Sequence, residues 1–169
     1  MKTPYKQGSI DGMCGYYSII NAIHYLKPNI TENKAEKLLR ELVITNKMFF
    51  YMNYLDGIYF ENILSLTKNI SILDSTLTFT PLFEDDVFED VYEYLSCLEE
   101  RMADNKVCIL SVGNPWHHWT VLTKIHKEKI TLFDSYYGNK TISFDLLSLK
   151  KKKDMFKLHT DESLLVTYK

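Results

Sequence analysis

Five residues of this chain have types and placements that can do covalent chemistry: a glutamine, a cysteine, two adjacent histidines and an aspartate, in that order. Gln7 opens the polar stretch Gln7-Gly8-Ser9-Ile10-Asp11-Gly12, which runs through Met13 into Cys14-Gly15-Tyr16-Tyr17-Ser18. Asp11 and Gly12 are turn and N-cap residue types. Beyond them Tyr17, Ile20, Ile23 and Tyr25 recur at helical spacing up to the stop at Pro28, which predicts a helix over residues 14–27 with Cys14 in its first turn. Unpaired backbone N–H groups and the positive end of the helix dipole there favour a thiolate, the form that attacks a carbonyl carbon. By itself such a cysteine is equally at home as a small core hydrophobe.

A thiol nucleophile also needs a base, a group that orients the base, and donors for the oxyanion formed on attack. Trp116-His117-His118-Trp119-Thr120-Val121-Leu122 places two histidines at the mouth of an expected strand. Period-two alternation puts His118 with Thr120 and Leu122, and His117 on the other face with Trp119 and Val121; alternation does not choose the base. Thr131-Leu132-Phe133-Asp134-Ser135 ends the next expected strand on a carboxylate. A hairpin between the two strands returns Asp134 toward the histidine end of its neighbour, where an orienting acid belongs. Gln7, seven residues before Cys14, can offer an amide N–H to the oxyanion beside the backbone N–H of Cys14. Each residue alone has an ordinary structural use: strand edge, turn former, exposed amide. Their joint arrangement points to acyl chemistry on sulfur.

The elements expected to position them fall into two groups. Thr31 is a good N-cap for a helix over 32–45, with Ala35, Leu38, Leu39, Leu42 and Val43 as its apolar face. The aromatic segment Met48 to Leu55 reads as packing between helices, and helical spacing resumes from Ile58 to Lys68. Residues 70–80 read as a strand ending at Pro81, and residues 85–103 as an amphipathic helix with Val87, Phe88, Val91, Tyr92, Leu95, Leu98 and Met102 as its stripe. Strands follow at 107–112, 118–125 and 130–133, joined by turn chemistry at Gly113-Asn114-Pro115 and His126-Lys127-Glu128-Lys129. A less regular segment from Thr141 to Leu149 precedes a last strand at 163–168. Helices first and sheet second predict an α+β fold over residues 1–169 as one unit, mainly helical over 1–104 and mainly β over 105–169.

Composition narrows the function classes. Lys and Arg total 20 against 22 Asp and Glu, a formal charge of -2, which gives no general attraction to nucleic acid or anionic membranes. No apolar run approaches the roughly 20 residues of a membrane-spanning helix, and Met1 to Lys6 lacks a signal-peptide core, so a cytoplasmic protein is expected, or one exported without a classical signal peptide. Cys14, Cys97 and Cys108 are an odd set without C-x-x-C spacing, which speaks against a disulfide framework and a zinc knuckle. No metal and no cofactor is expected. Lys150 to Lys153 reads as an exposed loop.

Gln7, the Cys14-Gly15-Tyr16-Tyr17-Ser18 helix start, His118-Trp119-Thr120-Val121-Leu122 and Leu132-Phe133-Asp134-Ser135 resemble, in that order, the landmarks of papain-like cysteine peptidases. The match is nearest to compact bacterial branches such as the leader-peptide-cleaving domains of bacteriocin exporters and papain-like effector proteases. The resemblance implies a papain-like fold, a groove between the helical and β halves, and a protein or peptide substrate. It implies Cys14 as nucleophile, His118 rather than His117 as base, Asp134 as orienting acid and Gln7 as oxyanion donor. Two departures stand out. The spacing from Gln7 to Cys14 is one residue longer than in papain, and the Ser/Ala-Cys-Trp signature of papain itself is missing. The same machinery serves transglutaminases and glutamine deamidases, and a domain that has lost competence would bind peptides in its groove. A zinc amidase using Cys14, His117 and His118 is disfavoured, because adjacent strand residues point to opposite faces.

Overall fold

Alternation along a central strand sorts the core of this protein into two layers. The computed structural model describes residues 2–8, 11–27, 29–47, 57–102 and 104–169. The elements are helices α1 (Cys14–Leu26), α2 (Glu32–Thr45) and α3 (Phe60–Leu73), strand β1 (Leu77–Leu82), helix α4 (Val91–Arg101), and strands β2 (Lys106–Val112), β3 (His118–His126), β4 (Lys129–Asp134), β5 (Gly138–Ser143), β6 (Leu147–Ser148) and β7 (Phe156–Tyr168). In β2, Val107 and Ile109 face a core shared with α1, α2 and α3. Cys108 and Leu110 face a second core closed by Tyr94, Leu95 and Leu98 of α4. The sheet order is β1-β7-β2-β3-β4-β5, each neighbour antiparallel, with β6 making a short parallel pair with the start of β7. Helical N-terminal region and antiparallel sheet together make the α+β layout of the papain-like fold.

Helix α1 is the element that positions the site. It crosses β3, β2, β4 and β7 and is buried nearly all round: Tyr16, Ile19, Ile20, Ala22 and Ile23 are in the core. The stripe expected from spacing included Tyr25, which is exposed, and Tyr17, which is half-buried. A helix sunk on most sides has no single apolar stripe to read. Its first turn lies tight against the chain ahead of α3: a Cβ on Gly15 would come within 2.0 Å of the Ile58 side chain, so only glycine permits this approach.

Three expectations need correction. Residues 70–80 are not one strand, because α3 runs on to Leu73 and β1 begins at Leu77 and includes Pro81. β1 is the edge of the sheet, where a missing N–H costs least. The helix expected over 85–103 spans only Val91–Arg101: the Asp90 side chain accepts from the N–H groups of Tyr92 and Glu93 and starts it there, leaving Val87 in solvent. The last strand begins at Phe156, not at 163, and between Leu158 and Ser163 it departs from regular pairing. Leu110 of β2 stands opposite Ser163 while Ser111 stands opposite His159, so Thr160, Asp161 and Glu162 bulge out of the ladder. The aromatic segment Met48 to Leu55 lies outside the described residues.

Candidate active site

Cys14 opens α1 without a side-chain cap on its N-cap residue, Met13. The turn before it is built by Asp11 instead, whose carboxylate accepts from the backbone N–H of Met13 at 3.2 Å and of Gly8 at 2.9 Å. The N–H groups that open a helix have no intrahelical partner, and Cys14 stands at that opening. The Ser18 hydroxyl donates to the Cys14 carbonyl at 2.7 Å and anchors that turn from below.

His118 is the first residue of β3. The register that sets Val121 opposite Phe133 makes Asp134 its diagonal neighbour across the β3–β4 pair, and His118 Nε2 meets Asp134 Oδ2 at 2.8 Å. Asp134 is fully buried, and its other oxygen accepts the backbone N–H groups of Tyr136 at 2.8 Å and Tyr137 at 2.7 Å. Burial works against the charge on both side chains. For His118 it is outweighed by hydrogen bonds to Asp134 and to the Cys14 side chain and by their charges, which raise the imidazole to about 9. For Asp134 burial is likewise outweighed, first by the hydrogen bond from His118, and the carboxyl is held below its ordinary range. With Nε2 committed to Asp134, Nδ1 is the nitrogen available to the thiol.

His117 sits just outside the strand, with φ of 48°, and is exposed. Its Nε2 is 3.0 Å from Asn114 Oδ1, so it belongs to the turn rather than to the carboxylate. Gln7 arrives on an N-terminal arm that Asn21 of α1 holds by two hydrogen bonds to the backbone of Tyr5, and Lys2 holds by capping the carbonyls of His24 and Tyr25. At its far end the Gln7 backbone N–H donates to the Ser135 carbonyl at 3.2 Å, while the Ser135 hydroxyl donates to Gln7 Oε1 at 2.9 Å. Gln7 therefore has its amide oxygen occupied and its Nε2 free to donate. Gln7, Cys14 and His118 thus line one cleft of about 270 Å³, whose walls include Trp116 and Tyr137, with Asp134 buried behind His118.

Sequence reasoning passed over the residues that hold this constellation. Ser135, the neighbour of the aspartate, fixes the glutamine. Trp116 and Tyr137 stand edge-on to the His118 ring, with centroids 6.4 and 6.5 Å away, and stack on each other at 4.4 Å. Lys140 lies 4.5 and 4.4 Å over their rings. Cys108 is no rival nucleophile: burial in the α4 layer pushes its thiol up to about 12. Among the described residues no group of three or more His, Cys, Asp or Glu side chains converges as metal ligands do. No described helix is long and apolar enough to cross a membrane.

No model of a known protein family matches the chain, and no curated protein sequence does. Among solved structures, the chain is similar to a double glycine motif protease from an AMS/PCAT transporter, crystallised in complex with the leader peptide. The TM-score is 0.58 at 16% sequence identity, over 99% of this chain and 93% of that one. At that identity the likeness is one of fold.

Proposed function

We propose that this chain is a cysteine peptidase, acting as one unit over residues 1–169, in which Cys14 is the nucleophile, His118 the base and then the acid, Asp134 the orienting carboxylate and Gln7 an oxyanion donor. The observation that carries the reading is the position of His118, bonded to a buried carboxylate and lining one cleft with Cys14 and Gln7. The peptide complex of the similar fold supports a peptide as substrate.

The steps follow from the atoms. His118 Nδ1 takes the proton of the Cys14 thiol, and Asp134 stabilises the imidazolium through Nε2. The thiolate adds to the scissile carbonyl, and the oxygen that gains charge is met by Gln7 Nε2 and the backbone N–H at the start of α1. The imidazolium gives its proton to the departing amine, leaving a thioester on Cys14. A water molecule, deprotonated by His118, then releases the acid and restores the thiol.

Mass spectrometry of peptides and proteins incubated with the enzyme tests this. New termini, absent with Cys14→Ala, are expected. A gain of about one dalton without chain cleavage would assign the cleft to side-chain amide hydrolysis instead.

A further inference from the structure

The catalytic cleft does not end at His118. On the far side of the His117–His118 pair a second cavity of about 200 Å³ opens, sharing both histidines with the cleft. Its floor is apolar, made by Ile58, Val112 and Trp119, with the Trp119 ring held by a hydrogen bond from Nε1 to the Ile58 carbonyl at 2.8 Å. Its end wall is Glu162, raised out of the β7 ladder by the bulge described above.

We propose that this cavity is a specificity subsite that receives a lysine or arginine side chain of the substrate, with the alkyl stem along the apolar floor and the cationic end on the Glu162 carboxylate. The inference deepens the peptidase reading and rests on it. Three features select that class of side chain. Among the described residues that line the cavity, Glu162 is the only carboxylate and none is lysine or arginine. The residue nearest to neutralising Glu162 is His159, whose Nδ1 is 4.0 Å from Glu162 Oε2. Burial first, then Lys157 and His117, hold that imidazole below its ordinary range despite Glu162 and Asp161, which disfavours the charged form that would cancel the carboxylate. Finally, the apolar surface of Ile58, Val112 and Trp119 together with one acidic group in the same cavity fits a side chain that is itself apolar along its length and charged only at its end. A leucine would leave the carboxylate facing it unpaired, and a glutamate would meet like charge.

The bulge is what makes the wall possible. Had β7 continued its pairing, the three residues from Thr160 to Glu162 would have been committed to the ladder with β2. Instead His159 closes against Gly113, where an added Cβ would stand 2.6 Å from the His159 ring, and the chain between 159 and 163 is free to present a carboxylate to the cavity. The similar fold belongs to a protein named for a double glycine motif; a cavity of this size beside the histidine has room for a side chain that glycine lacks.

The test is a library of internally quenched peptides randomised at three positions on each side of the cleavage point, with products mapped by mass spectrometry. At one position, lysine or arginine should be cleaved at least tenfold faster in kcat/KM than leucine, and glutamate slowest. Glu162→Gln should bring the Arg-to-Leu ratio at that position toward one, and Glu162→Lys should invert the preference toward glutamate. Asp145→Asn, which alters an exposed carboxylate on the turn after β5, should leave the ratio as it is. Cleavage without a cationic preference at any position overturns the subsite and leaves the peptidase reading standing, and so does a preference that survives Glu162→Lys. Absence of any cleavage, with Cys14 still alkylated by iodoacetamide, overturns both.

Discussion

The two ends of α1 open onto cavities of opposite character. At its N-terminus the cleft of about 270 Å³ is small and crowded with groups that carry or shift protons. At its C-terminus a larger cavity, about 480 Å³, is bounded by Ile23, Ile30, Leu38, Ile70 and Leu77, with Lys27 paired to Asp74 at the rim. Volume favours the second, and convergence of polar groups favours the first. In the first, an imidazole backed by a buried carboxylate, a thiol at a helix start and an amide whose oxygen is already engaged line the same space. In the second, Lys27 pairs with Asp74 and the remaining charged groups, Lys34, Lys37 and Glu41, are spread along α2. Chemistry is marked by convergence on one space rather than by volume.

Substitutions at the two ends sharpen that contrast. The largest effect is expected from Cys14→Ala or His118→Ala, each lowering kcat by about 10⁴-fold or more in a peptide-cleavage assay with circular dichroism unchanged. Asp134→Ala should leave measurable residual turnover, because the thiol and imidazole remain in place, while rendering His118 easier to deprotonate. Gln7→Ala removes one oxyanion donor and should lower kcat on the order of a hundredfold with KM little changed.

The pH profile follows from the imidazole. His118 is raised in the folded protein to about 9, so the protonated form is favoured by folding. Peptide cleavage should therefore decline as pH rises through about 9, where the proton needed by the leaving amine is lost, and this alkaline limb should move to lower pH in Asp134→Ala. The same shift contributes stability that is complete below the ordinary histidine value near 6.5 and is lost as pH rises through about 9. Asp134, shifted down, contributes stability that is lost as pH falls through its depressed value. Urea unfolding at pH 7 and pH 9.5 measures the first contribution.

The smallest effect on turnover is expected at the other end. Ile70→Ala enlarges the apolar cavity and should cost about 2–5 kcal/mol of stability in thermal or urea unfolding, with kcat/KM per folded molecule unaltered. A comparable loss of activity there would erase the distinction between the two cavities.

What the sequence could disclose depended on how local the cause was. The α2 helix is readable to its ends because its cap and its single buried face are written in adjacent residues: Thr31 does accept from the Lys34 N–H, at 3.4 Å. Strands β2, β3 and β4 are similarly plain, since buried strands are short apolar runs bounded by turns. The β7 strand was half missed because His159 to Glu162 interrupts its pattern, and a bulge cannot be told from a loop without the partner strand. The continuation of α3 to Leu73 was taken for strand because its last residues, Ile70 to Leu73, suit either state, and Ile72 and Leu73 are in fact exposed. In the site, Cys14, His118 and Asp134 could be nominated because each stands at the end of an element, and Gln7 because it lies on the polar stretch that leads into Cys14. Ser135, Trp116 and Tyr137 could not, since their work is to hold another residue across 128 positions of chain or to flank a ring, and nothing in the neighbouring residues encodes that.

One feature of β7 sets how this architecture can diverge. His159 on one side of the bulge and Ser163 on the other stay paired with β2 whatever occupies the three positions between them. Those positions can change in charge, bulk or number while both flanks stay hydrogen-bonded, so the lining of the neighbouring cavity can be revised without renegotiating the fold.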